Sequence, residues 1–129
     1  MPYISFNENK SLNLNNEHDL QKSVVEYLRQ TDLLFVSNYN GFLDTPNKRL
    51  LAFEEGMEKG HPDLIIYSPN KQYNGMAIEI KTPIGCGKLA KNQSEWLQKL
   101  EVECKYFCIC SNDYTIIIEC ILKYILSIL

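Results

Sequence analysis

Two short apolar runs with charges at their ends constrain this chain more than any other feature. Asp63 opens the run Leu64-Ile65-Ile66-Tyr67, and Glu79 and Lys81 close the run Met76-Ala77-Ile78. Runs of this length read as strands, the first launched by the breaker Gly60-His61-Pro62 and the two separated by a turn over 68–75. Side chains alternate across a strand, so Glu79 and Lys81 share one side and Ile80 takes the other. Two carboxylates and an ammonium on one side of a sheet are costly unless they do something. A divalent metal acting on a phosphodiester is chemistry that uses such a set.

The flanking segments supply the layers. Leu20, Val24 and Leu28 recur at helical spacing and predict a helix over about 16–30. Glu17 and Gln21 fall on this apolar face, within a turn of its start, so Glu17 is expected to aim toward the core or a cleft; Glu26 falls on the solvated side. Leu33 to Val36 reads as a strand, 37–46 as a polar loop and 47–58 as a short helix with Lys48 and Arg49 in its first turn. After the two central strands come a Gly-containing loop over 83–87 and a helix over about 90–103. That helix carries Trp96, Leu97 and Leu100 on one face, with Gln93 projecting onto it near the N-terminus. Tyr106 to Cys110 is a strand. Ser111-Asn112-Asp113 is cap-like and opens a last helix, although its Ile116-Ile117-Ile118 run is β-prone. The order helix, strand, helix, strand, strand, helix, strand, helix implies an α/β or α+β fold with a mixed sheet flanked by helices. Residues 1–15, polar and Asn-rich, are expected to be a flexible arm, and 16–129 a single domain.

Size and composition set the outer limits. A chain of 129 residues, 45% apolar and 22% charged, is large enough for one core and too apolar to be disordered by default. The N-terminus has no basic start and no apolar core of a signal peptide, so an intracellular location, cytoplasm or nucleus of a host, is expected. The apolar stretch 114–129 is interrupted by Glu119 and Lys123 and is too short to span a bilayer. Five cysteines without a CxxC pair, with only His18 and His61 to assist them, argue against a structural zinc and for reduced thiols, most of them packed as small hydrophobes. A net charge of −3 argues against tight non-specific DNA binding by charge alone. It leaves room for a local basic patch, for which Lys48, Arg49, Lys88 and Lys91 are the candidates.

The chemistry of the constellation is specific. Magnesium takes oxygen ligands, few carboxylates and several waters. Asp63 and Glu79 can supply two ligands and the carbonyl of Ile80 a third, with Glu17 as a further ligand or holding a metal-bound water. Lys81 would orient water and offset developing negative charge. Gln93 would donate to the attacking water or to a phosphate from the start of its helix, or serve as a capping residue at its third position. His61 reads as a plain loop residue or a phosphate contact.

Gly60-His61-Pro62-Asp63-Leu64, then Ala77-Ile78-Glu79-Ile80-Lys81, then Leu89-Ala90-Lys91-Asn92-Gln93 resembles the PD-(D/E)xK nuclease superfamily. Glu17 followed four residues later by Gln21 on a first helix makes the resemblance closest to its VRR-NUC branch, over about 17–126. That resemblance implies a restriction-endonuclease-like αβββαβ core and an endonuclease using Mg2+ or Mn2+, with Gln21 at the DNA. It is similar to the standalone members, often from phages or viruses, that resemble Holliday junction resolvases and act as homodimers on branched DNA. Larger members carry the domain at the end of a chain and cut branched or flap DNA. One departure is Ala90, where the family often has a Ser or Thr N-cap, a loss of about 1 kcal/mol to the helix. The alternatives are a non-catalytic nucleic-acid-binding or assembly module that keeps the nuclease fold, and a flap or general endonuclease. The last helix, apolar around most of its circumference, is core with room for a dimer interface.

Overall fold

The computed structural model describes residues 4–6, 16–38, 43–82 and 89–128. Its elements are β1 (Ile4–Phe6), α1 (Glu17–Leu28), β2 (Phe35–Ser37), α2 (Pro46–Glu54), β3 (Leu64–Ile66), β4 (Gly75–Ile80), α3 (Lys91–Val102), β5 (Tyr106–Ser111) and α4 (Tyr114–Ile125). The strands form one five-stranded sheet in the order β1-β5-β4-β3-β2. β2, β3 and β4 are antiparallel neighbours, whereas β4, β5 and β1 run parallel. The mixed sheet flanked by helices is the expected architecture. β1 was not expected: it lies within the segment read as an arm. Three residues carry too little periodicity to be seen locally, and this strand exists by pairing with the distant β5.

Local sequence explains the helix starts. Asn16 Oδ1 accepts from the Asp19 N–H at 2.8 Å, and Glu17 and Asp19 complement the α1 dipole. Thr45 caps α2 with Pro46 just inside it, and Asp113 caps α4 through the Ile116 N–H. These caps let the Ile-rich C-terminal segment resolve as a helix rather than a strand. Helix α2 is shorter than expected, Pro46–Glu54 instead of 47–58, because Gly56 at φ +107° leaves the right-handed region. β2 sits slightly later than the run 33–36 suggests.

Burial is unequal on the two faces. Leu64, Ile66, Met76, Ile78, Ile80, Phe107 and Ile109 point to the face covered by α1 and α4, where Leu20, Val24, Leu28, Ile117 and Ile121 meet them. The opposite face holds a smaller cluster, Ile65, Ala77, Cys108 and Cys110 against Leu97 of α3. The α3 stripe therefore reduces to Leu97 as its buried member, with Trp96 and Leu100 half-buried. Helix α2 buries no residue. Cys108, Cys110 and Cys120 are buried and Cys104 is exposed; Cys86 lies outside the described residues. No helix among the described residues is long and apolar enough to cross a membrane.

Candidate active site

The register of the central hairpin assembles the site. Leu64 pairs with Ile78, so one step further Asp63 lies opposite Glu79. Odd-numbered residues of β4 face α3, which brings Glu79 and Lys81 beneath the start of that helix. Asp63 accepts the Ile80 N–H on Oδ2 at 2.7 Å. The Ile80 carbonyl points to the same side as its N–H, and the next residue in the ladder is Pro62, which has no N–H to offer it. That carbonyl therefore receives no ladder bond from Pro62 beside Asp63.

Gln93 organises the side chains. Its Oε1 accepts from Lys81 Nζ at 2.8 Å and from the Ala90 N–H at 2.9 Å, and its Nε2 donates to Glu79 Oε1 at 3.0 Å. Gln93 thus contacts the charged pair and at the same time caps α3 from the third position. Ala90 offers no side-chain cap, as expected. Lys81 Nζ lies 3.8 Å from Glu79 Oε1. Glu79 is 3% and Lys81 7% exposed, so this is a buried cluster rather than a solvated strand face.

The cluster is short of positive charge. Burial first, then the neighbouring Asp63 carboxylate, pushes Glu79 up to about 9, against the pull of Lys81. Burial likewise raises Asp63, opposed by the Ile80 N–H bond. Both shifts run the same way, so burial and mutual repulsion favour the less charged form of the pair. Glu79 Oε2 is buried with no hydrogen-bond partner. An orphaned carboxylate oxygen facing a second carboxyl, with the Ile80 carbonyl alongside, is a donor set of hard oxygens that fits magnesium or manganese. Among the described residues no group of three or more His, Cys, Asp or Glu side chains is placed to hold a metal. Magnesium commonly takes one or two carboxylates and keeps waters.

The other expected residues are placed unequally. Glu17 is exposed, and its Oε1 accepts from the Thr82 hydroxyl at 3.1 Å. It is near enough to raise both Asp63 and Glu79 but does not complete a three-carboxylate cluster. The reason is topological: α1 packs on the sheet face opposite α3, so Glu17 reaches the site only around the end of β4. Gln21 is half-buried and does not line the cavity at the carboxylates. Of the basic candidates, Arg49 lines that cavity. Lys48 is paired with Asp44 at 2.9 Å and Lys91 with Glu95 at 3.9 Å, both exposed i,i+4 pairs. Lys88 lies outside the described residues.

The cavity, about 610 Å³, is bounded by Asp63, Glu79 and Gln93 at one end and by α2 and the segment after it at the other. His61 lines it; its Nδ1 donates to the Pro62 carbonyl at 2.8 Å, and its ring meets Trp96 edge-on at 5.2 Å. Gly60, at φ +91°, makes this possible: a Cβ there would lie 2.7 Å from the Asn92 backbone carbon. The loop carrying Asp63 is thus packed directly on the start of the helix carrying Gln93. Sequence reading passed over Asn38, whose N–H donates to the Asp63 carbonyl at 2.8 Å and whose Nδ2 donates to the His61 carbonyl at 3.4 Å. Its signal was available: a polar residue ending the strand that pairs antiparallel with the Asp63 strand.

Comparison with known proteins bears on the fold and the family. A family model described as the VRR-NUC domain matches residues 13–111. A solved structure named VRR_NUC domain protein superposes with a TM-score of 0.69 over 88% of this chain and 91% of its own, at 23% sequence identity. At that identity the likeness speaks for the fold. No curated protein matches the chain.

Proposed function

Since this chain belongs to the VRR-NUC domain family, and so carries a nuclease-type domain, we propose that it is a divalent-metal-dependent endonuclease that hydrolyses phosphodiester bonds in branched DNA. The observation that carries this reading is the orphaned, buried Oε2 of Glu79 opposite Asp63. An apolar core would not retain two facing carboxyls whose nearest compensating charge is a single ammonium 3.8 Å away. Asp63, Glu79 and the Ile80 carbonyl would hold the metal. When bound, Mg2+ or Mn2+ supplies Lewis acidity, activating water and polarising a phosphoryl oxygen.

The chain's own residues do the rest. Lys81, fixed by Gln93 Oε1, presents a buried cation at the end of β4, where it can orient water and balance charge that develops on the phosphate. Gln93 is itself fixed by the Ala90 N–H, so the position of Lys81 is set by the start of α3. Glu17, linked through Thr82, adds negative charge at the rim and is suited to holding a water rather than the metal directly. Gln21, one turn further along α1, is a DNA contact of the outer rim in this reading. A homodimer would present two such sites for paired cuts across a junction by symmetry, as a Holliday junction resolvase requires. Exposed Leu122 and Ile125 on α4, with Leu126 at its C-cap, are compatible with that interface.

The test is cleavage of synthetic branched DNA by Asp63→Ala and Lys81→Ala. Both are expected to lose cleavage while keeping the wild-type circular dichroism spectrum. Full activity in either folded variant contradicts the reading, and a monomer in sedimentation at cleavage-competent concentrations contradicts the paired-cut form of it.

A further inference from the structure

The far wall of the cavity does not resemble a place for phosphates alone. Leu43, Phe53 and Met57 line it, together with Arg49, Glu58 and Lys59. Phe53 is 60% exposed although it belongs to a helix that buries nothing in the fold. On a helical projection Arg49 and Phe53 lie on adjoining positions of one face, four residues apart, whereas Leu51 lies toward the opposite flank. A metal, its waters and one phosphate use the carboxylate end. They give no reason for an exposed aromatic ring and two cations to line the same cavity.

An aromatic face beside cations is what an unpaired nucleobase with its phosphates selects. A base inside a duplex is stacked on both sides and has no face to offer, whereas a base at a branch point or single-strand boundary does. The volume of about 610 Å³ falls within the range that accepts a small organic ligand, roughly 300–1,000 Å³, and so has room for one nucleotide. We propose that Phe53 stacks on an unpaired base next to the scissile phosphate, with Arg49 and Lys59 on the adjoining phosphates, so that the substrate class is branched DNA with an unpaired nucleotide at the branch. Glu58, on the same rim, is placed to accept from an exocyclic amino group and opposes an extra phosphate there. The assignment of the scissile phosphate rests on the nuclease reading; the base subsite itself does not.

The experiment separates the two. Branched DNA carrying 2-aminopurine at each of the first unpaired positions is titrated with protein in EDTA, where no cleavage is needed. Wild type is expected to quench the fluorescence at one position by stacking. Phe53→Ala is expected to lose the quench and bind roughly ten-fold more weakly. Phe53→Trp is expected to restore both, and Leu51→Ala to leave both unchanged. Because Phe53 and Leu51 are both more than half exposed, these variants keep the fold. A Phe53→Ala protein that retains the quench and the affinity overturns the inference, as does wild type that quenches at no position. Failure of wild type to cut any DNA in Mg2+ would instead count against the nuclease reading and leave the fluorescence result to decide the base subsite.

Discussion

Glu79→Gln is expected to stabilise the metal-free protein, and increasingly so as pH rises. The Glu79 carboxyl is held up to about 9 in the fold against an ordinary value of 4.5. Below pH 4.5 both folded and unfolded chains carry the proton, and there is no penalty. Between 4.5 and 9 the unfolded chain releases it while the fold retains it, so stability falls as pH rises through this window. At pH 7 the loss is roughly 3 kcal/mol, taking about 1.4 kcal/mol per pH unit. The amide introduced by the substitution would still accept from Gln93 Nε2, and its NH2 gives the unpartnered Oε2 position a donor toward the Asp63 side. The substitution thus removes the penalty and keeps the contacts. Thermal unfolding in EDTA at mildly acidic, neutral and mildly alkaline pH, about 5, 7 and 8.5, reads this out. Glu79→Gln should melt on the order of 10 °C above wild type at about pH 7, with a smaller gap at about pH 5. Adding Mn2+ should raise the wild-type melting temperature and flatten its pH dependence, and should do little for Glu79→Gln. A wild-type stability that rises across that range in EDTA, or a Glu79→Gln variant less stable than wild type at every pH, would refute the charge argument.

Two further outcomes follow from the geometry. Gln93→Ala removes a cap on α3 and the contacts to Lys81 and Glu79; it should cost about 1–3 kcal/mol in urea unfolding and lower kcat far more than it raises KM, since Lys81 loses its fixed position. Gly60→Ala should be destabilised by about 1 kcal/mol or more and lose metal affinity in calorimetry, because its Cβ would lie 2.7 Å from the Asn92 backbone carbon and push the Asp63 loop off α3.

The helices and central strands were legible because their periodicity is long and unambiguous. Leu20, Val24 and Leu28 are all fully buried, as their spacing implies. Asp63, Glu79, Lys81 and Gln93 were legible as a group because strand alternation and the early position of Gln93 on α3 depend only on local geometry. Glu17 was harder. A helical projection says which way a residue points from its own helix but not which face of the sheet that helix covers, and α1 covers the face away from Asp63 and Glu79. Strand β1 depends on a partner at the far end of the sequence, and no local pattern announces it. Phe53 was hidden for a different reason, although Arg49 on the same helix was a candidate by its charge. Helix α2 has no apolar stripe packed on the core, so its sequence gives no rule for which face turns to the cavity.

In the proposed function the carboxylate pair is a divalent-metal site for phosphodiester cleavage. A panel of synthetic four-way junction, flap, duplex and single-stranded DNA, incubated with wild type and Glu79→Gln in Mg2+, Mn2+ or EDTA, measures this most directly. Wild type should cut the branched substrates in either metal and nothing in EDTA, and Glu79→Gln should cut none despite its greater stability. Cleavage by wild type in EDTA, or by Glu79→Gln at the wild-type rate, would contradict the account.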